Sequence, residues 1–187
     1  MKEFNLTGSL RQDYGKKAAK ALRKQELVPC NLYGAGANVT FAVNVNDVRK
    51  LIYTPDTQIV NLSVDGKECK AVVKELQFHP VSEALLHIDF LQVVADKPVT
   101  VAIPVQLEGH AEGVKAGGKL QLVTRKLNVK GLYTNLPDRI VVDVTSLGLG
   151  KKIQVADLHY DNLEITNVKT QIVAQVKATR QSAQVAQ

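Results

Sequence analysis

Residues 58–78 read QIVNLSVDGKECKAVVKELQF. Gln58–Val64 and Lys67–Phe78 are two strand-like runs, and they flank Asp65-Gly66. An Asp-Gly pair between such runs is the strongest short hairpin signal, because a two-residue hairpin turn needs positive φ at both central residues. The stretch predicts two antiparallel strands and places the chain among the β classes. Upstream, Val28–Tyr33 and Val39–Val45 read as strands joined by the turn Gly34-Ala35-Gly36-Ala37-Asn38, and Phe4–Leu10 reads as a first strand. Asn46 has the chemistry of an N-cap for a short helix over Asp47–Tyr53, which must end before Pro55. Leu85–Val94 closes this half.

Ala95-Asp96-Lys97-Pro98 reads as a linker, and the pattern beyond it is almost wholly β. Val99–Glu108 alternates, with Pro104 marking an edge or a bulge. His110–Lys119 is a Gly-rich loop, and Leu120–Lys130, Arg139–Val144, Ile153–Val155, Leu163–Ile165 and Gln171–Ala178 read as strands. The expected organisation is a β-barrel domain over 1–94, a β-rich domain over 95–180 and a disordered polar tail over 181–187. With 45% hydrophobic and 22% charged residues, the chain has the composition of a packed protein. No apolar run approaches the roughly 20 residues that span a bilayer, and no signal-peptide core follows Met1, so a cytoplasmic location with no membrane partner is expected. Cys30 and Cys69 sit in alternating apolar contexts and read as buried thiols rather than a disulfide.

The charge is placed rather than spread. The first 24 residues hold seven Lys and Arg against two acids, a net of +5 out of +6 for the whole chain. Residues 25–92 are net −3. Gly15–Leu27 is rich in Ala, Lys, Leu and Gln and predicts a helix. At 3.6 residues per turn, Lys16, Lys17, Lys20, Arg23 and Lys24 share one face, and Ala18, Ala19, Ala21 and Leu22 share the other. Such a helix can lie on a phosphate backbone while its small residues pack on a core. A solvated basic face on an ordinary surface helix fits the charge pattern equally well.

Catalytic chemistry is hard to find. Gly113–Leu120, GVKAGGKL, has most of a Walker A spacing, but Leu120 cannot supply the hydroxyl that holds magnesium. The residues after it read as a strand, whereas a phosphate loop must open a helix. His79, His87, His110 and His159 match no common zinc spacing. The reading is a protein that is not an enzyme, with no cofactor, no metal and no small-molecule substrate. Residues 87–90, HIDF, offer something else: in a strand His87 and Asp89 share one face while Ile88 and Phe90 share the other. Gln77 and His79 have the same spacing on the preceding strand. If the two strands pair, the four polar groups can form one patch suited to base edges and 2′-hydroxyls. An ordinary polar outer face accounts for the pattern as well. Tyr14 and Tyr33 can stack on bases or serve as half-buried aromatics.

The segments RQDYGKKAAKALRKQELVPCNLYG (Arg11–Gly34), QFHPV (Gln77–Val81), HIDF (His87–Phe90), EGVKAGG (Glu112–Gly118) and DVTSLGLGKKIQVADL (Asp143–Leu158) occur in this order over nearly the whole chain. Together they resemble the Ctc family, the two-domain form of a bacterial large-subunit ribosomal protein that binds 5S ribosomal RNA. The chain departs from that pattern at Glu26 and Cys30, where the family usually has Gly and Ala. The resemblance implies an N-terminal β-barrel flanked by helices and a mostly β C-terminal domain. It implies 5S rRNA, the 50S subunit and neighbouring ribosomal proteins as partners, with a ribosome-associated location. It implies RNA contacts from Arg11, Lys16, Arg23, Tyr33, Gln77, His79, His87 and Asp89. Lys17 and Lys20 join them from the register of the basic helix. Two other readings stand beside this one: an RNA-binding appendage like the anticodon-reading barrels of a glutaminyl-tRNA synthetase, and a stress-related module whose basic helix docks an acidic protein.

Overall fold

The computed structural model describes residues 1–34, 36–160 and 162–179. The tail expected over 181–187 lies outside the described residues. The chain forms two compact units, Met1–Val101 with Leu132–Thr134, and Ala102–Gly131 with the chain from Asn135 on. It is mostly β, a closed barrel followed by a β-rich second unit.

Six strands make the barrel: β1 (Lys2–Leu10), β2 (Leu27–Gly34), β3 (Ala37–Asn44), β4 (Gln58–Val64), β5 (Lys67–Phe78) and β6 (Leu85–Gln92). They close in the order β1-β3-β2-β6-β5-β4. Strand β1 runs parallel to β4 and β2 parallel to β6, and the other neighbours are antiparallel. The predicted hairpin is present. Asp65 and Gly66 take φ of 45° and 82°, and Val64 faces Lys67 across the turn. Alternation sends Leu6, Val28, Cys30, Phe41, Val43, Val60, Leu62, Ile88 and Phe90 inward, where all are buried. The rings of Phe41 and Phe90 lie 5.7 Å apart in a tilted contact. Gly8 lets β1 pass over that ring, since a Cβ there would sit 2.6 Å from Phe41 Cδ2.

Two helices flank the barrel. Helix α1 (Lys16–Lys24) ends earlier than the expected Leu27. Glu26 turns the chain at φ 59°, and Leu27 is already in β2. Glu26 thus adopts the left-handed backbone that a glycine takes without strain, at some cost. Helix α2 (Val45–Tyr53) is capped by Asn44 rather than Asn46: the Asn44 side chain accepts from the Asn46 N–H at 2.9 Å. Both asparagines have capping chemistry, and the end of β3 decides between them. Val48 and Leu51 of α2 join the barrel core.

Beyond the barrel, β7 (Val99–Glu108), β9 (Lys126–Gly131), β10 (Ile140–Asp143) and β12 (Glu164–Ile165) form a sheet in the order β10-β7-β9-β12. β8 (Lys119–Leu122), β11 (Lys152–Gln154) and β13 (Ile172–Lys177) form a second sheet, β11-β13-β8. The stretch read as one strand over Leu120–Lys130 is therefore two. Val123 and Thr124 both donate to the Val173 carbonyl, at 2.9 and 3.2 Å, and the chain turns there from one sheet into the other. Pro104 is not on an edge strand, because β7 lies between β10 and β9. The β10 ladder starts at Val105, so the N–H that proline lacks costs no bond with β10. The loop expected over His110–Lys119 contains a short helix, α3 (Glu112–Lys115). Its amides are consumed internally: Gly113 donates to Leu147 O and Gly118 to Gly113 O. A Cβ at Gly113 would lie 2.6 Å from the Leu149 nitrogen, so this glycine serves a close backbone approach rather than a phosphate cradle.

Candidate nucleic-acid interface

The register of β2, β6 and β5 builds the site. On β6, Ile88 and Phe90 are fully buried while His87 and Asp89 face outward. Across the antiparallel β5 ladder His87 faces Gln77 and Asp89 faces Glu75. Across the parallel β2 ladder Asp89 faces Asn31, and Leu91 faces Tyr33. One outer row therefore reads Asn31, Asp89, Glu75, with Gln77 and His87 in the row beside it and Tyr33 at its margin. Asn31 and Glu75 are not among the residues that the sequence singles out. Each lies two residues from one that is, Tyr33 or Gln77, so the period-2 rule could have found them. Their meeting at Asp89 depends on pairing that no local pattern shows.

His79 departs from expectation. β5 ends at Phe78 after an irregularity between Gln77 and Phe78, so His79 belongs to the turn rather than the strand. Its Nδ1 accepts from the backbone N–H of Val81 at 3.3 Å and of Ser82 at 3.1 Å. That leaves Nε2 as the ring's N–H donor. The same turn exposes Phe78 and Val81.

The arginines reach this face from β1 and α1. Arg23 donates from Nε and Nη2 to the Leu86 carbonyl, at 3.0 and 2.9 Å, and so ties α1 to the start of β6. Arg11 follows β1. Its amide donates to Thr40 O at 3.1 Å and its Nη2 to Asp13 O at 3.2 Å, while its Nε is buried without a hydrogen-bond partner. Tyr14 donates to Arg11 O and accepts from Thr40 Oγ1, both at 3.3 Å, with its ring left 68% exposed. Lys16, Lys17, Lys20 and Lys24 are all exposed on α1, while Ala18, Ala19 and Leu22 are half-buried beneath it. Ala21 is exposed, contrary to its expected place on the packed face.

The electrostatics converge on His87. Its Nδ1 lies 3.4 Å from Asp89 Oδ1, in charge contact but without an aligned hydrogen bond, so Nδ1 is a buried nitrogen with no hydrogen-bond partner. Burial holds the imidazole below its ordinary value, Asp89 opposes that, and Arg11 and Arg23 add to the lowering. The ring is neutral at pH 7. Tyr33 is pushed up by burial and then by the Asp89 and Glu75 carboxylates, so it stays a neutral phenol. A pair of carboxylates, a neutral imidazole and the two amides of Asn31 and Gln77 make a surface that can donate and accept at fixed positions.

Other candidates fall away. Cys30 is free and buried, and desolvation pushes its thiol well above the usual range, which makes it inert. Cys69 is also free but only half-buried. Among the described residues no group of three or more His, Cys, Asp or Glu could hold a metal ion, and no helix is long and apolar enough to cross a membrane.

The Ribosomal L25p family matches residues 6–90, and the C-terminal domain of ribosomal protein TL5 matches residues 98–180. The large ribosomal subunit protein bL25 of Porphyromonas gingivalis is 53% identical over 182 residues, covering 96% of this chain and 95% of its own. Those of Azobacteroides pseudotrichonymphae and Phocaeicola vulgatus are 54% and 51% identical, again over 96% of this chain and 96% and 94% of their own. A barrel followed by a second β-rich domain, each matched in order, defines a ribosomal protein of two-domain build. The chain belongs to the bL25 family of large ribosomal subunit proteins.

Proposed function

We propose that this protein is a non-catalytic constituent of the large ribosomal subunit that binds 5S rRNA through its barrel, and that it is cytoplasmic and ribosome-associated. Lys16, Lys17 and Lys20 of α1, with Arg11, contact phosphates and supply most of the affinity through counterion release. Gln77, His87, Asp89 and Tyr33, with the Nε2 of His79, read base edges and 2′-hydroxyls on the shallow side of an A-form helix or in an irregular loop. Arg23 acts in part indirectly, by holding α1 against β6. The observation that carries the reading is the register that sets Gln77 opposite His87 and Asp89 beside Asn31, on one face with Arg11 and Arg23. Asp89 gives the face its selectivity. A carboxylate repels phosphate and accepts only from a donor such as a base amino group or a 2′-hydroxyl.

Electrophoretic shift of 5S rRNA against tRNA at two salt concentrations tests this. The expected result is tighter binding of 5S rRNA at both, with the preference retained as affinity falls with salt. Equal binding of the two RNAs would overturn the assignment of 5S rRNA and favour the anticodon-reading alternative.

A further inference from the structure

The second unit carries a cationic surface of its own. In the sheet β11-β13-β8, Ala174 and Val176 are buried, with Leu120 and Ile153 packed against them. The opposite face is set by register: Lys119 lies directly across from Lys177, and Gln121 and Lys152 both lie across from Gln175. Lys119, Lys152 and Lys177 are exposed, and the three strands contain no Asp or Glu. None of these three lysines is in an ion pair among the described residues. The neighbouring four-stranded sheet differs, for there Lys130 is paired across the ladder with Glu164 at 3.5 Å.

Like charges directly opposite on a sheet face are destabilising. A cross-strand Lys–Lys pair with no acid on its face is therefore a poor solution for folding and a good one for meeting a polyanion. The amides of Gln121 and Gln175 between the lysines add donors that phosphate and ribose oxygens accept. We propose that this face is a second RNA-binding surface, which lies along the phosphate backbone of duplex RNA independently of the barrel site.

The test uses the full chain and a mixed-sequence RNA duplex of about 30 base pairs, with affinity measured by filter binding across a KCl series. The parent carries Lys16→Gln, Lys17→Gln and Lys20→Gln, so that the barrel's contribution is reduced. Adding Lys119→Gln, Lys152→Gln and Lys177→Gln is expected to weaken duplex binding by about tenfold or more near 0.1 M salt. The slope of log affinity against log salt should shrink by roughly two to three, about 0.9 for each phosphate that is no longer neutralised. Arg at the same three positions should retain both. Because the Gln variants relieve a like-charge pair, their melting temperature should be equal or higher. Unchanged duplex binding in the Gln variant overturns the proposal. So does a loss of binding to polyglutamate with none to RNA, which would make the face a docking site for an acidic protein. Whether the barrel selects 5S rRNA is decided separately, by the comparison with tRNA.

Discussion

Asp89 shows how one residue turns attraction into selection. It sits on a surface supplied with arginines and lysines, between Asn31 and Glu75, where a carboxylate reduces affinity for phosphate in general. Such a group is worth keeping only if it accepts a hydrogen bond from the bound RNA. Asp89→Ala is therefore expected to weaken 5S rRNA binding by about 1–3 kcal/mol, read by filter binding. Tighter binding of that variant at low salt would show that the carboxylate only repels. His87 beside it predicts a pH dependence. Its folded-state proton affinity lies below the ordinary value of 6.5, chiefly through burial, so the unfolded chain takes up the proton first. Its contribution to stability is thus fully present above pH 6.5 and is lost as pH falls below it. Denaturation of the wild type and of His87→Gln across pH 4–8 checks this: the two should converge toward acid, and the ring protons of His87 should titrate below those of a free histidine.

At the scale of elements, α1 lies on the barrel without anchoring a side chain in its core. None of its residues is fully buried, so its position depends on Ala18, Ala19, Leu22 and the Arg23 fork on the Leu86 carbonyl. Lysine keeps the charge but cannot place two N–H groups on one carbonyl. Arg23→Lys should therefore speed amide exchange within α1 and weaken RNA binding, while the melting of the barrel stays nearly unchanged. The turn after α1 predicts the opposite kind of change. Glu26 holds φ at 59°, a conformation costing about 1–2 kcal/mol for a non-glycine residue. Glu26→Gly is expected to raise stability in chemical denaturation by up to about 1 kcal/mol, since the extra freedom of glycine in the unfolded chain offsets part of the relief.

At the scale of the whole molecule, closure organises the first unit. Every ladder of the barrel lies between Lys2 and Gln92, and β1 seals it by pairing in parallel with β4. A fragment of residues 1–94 should thus fold alone, with a cooperative melt and a strand-rich circular dichroism spectrum, and retain the full chain's preference for 5S rRNA over tRNA at equal salt. A fragment that folds but binds the two RNAs equally would assign that selectivity to the second unit.

Much of this was legible in the residues themselves. The Asp65-Gly66 hairpin, the alternation that buries Ile88 and Phe90, and the basic face of α1 stem from short-range rules of turn, pleat and helix period. These rules act over a few residues, so they can be read without a fold. They stop short where two distant choices compete. Both Asn44 and Asn46 can cap α2, Leu120–Lys130 can be one strand or two, and His79 can continue a strand or cap a turn. Each was settled by where a neighbouring element ends. The meeting of Asn31, Asp89 and Glu75, the fork of Arg23 on Leu86, and the Lys119–Lys177 pair belong to tertiary structure alone. Local sequence states which way a side chain faces along its own strand, whereas the pairing of strands far apart in the chain states which other side chains it faces.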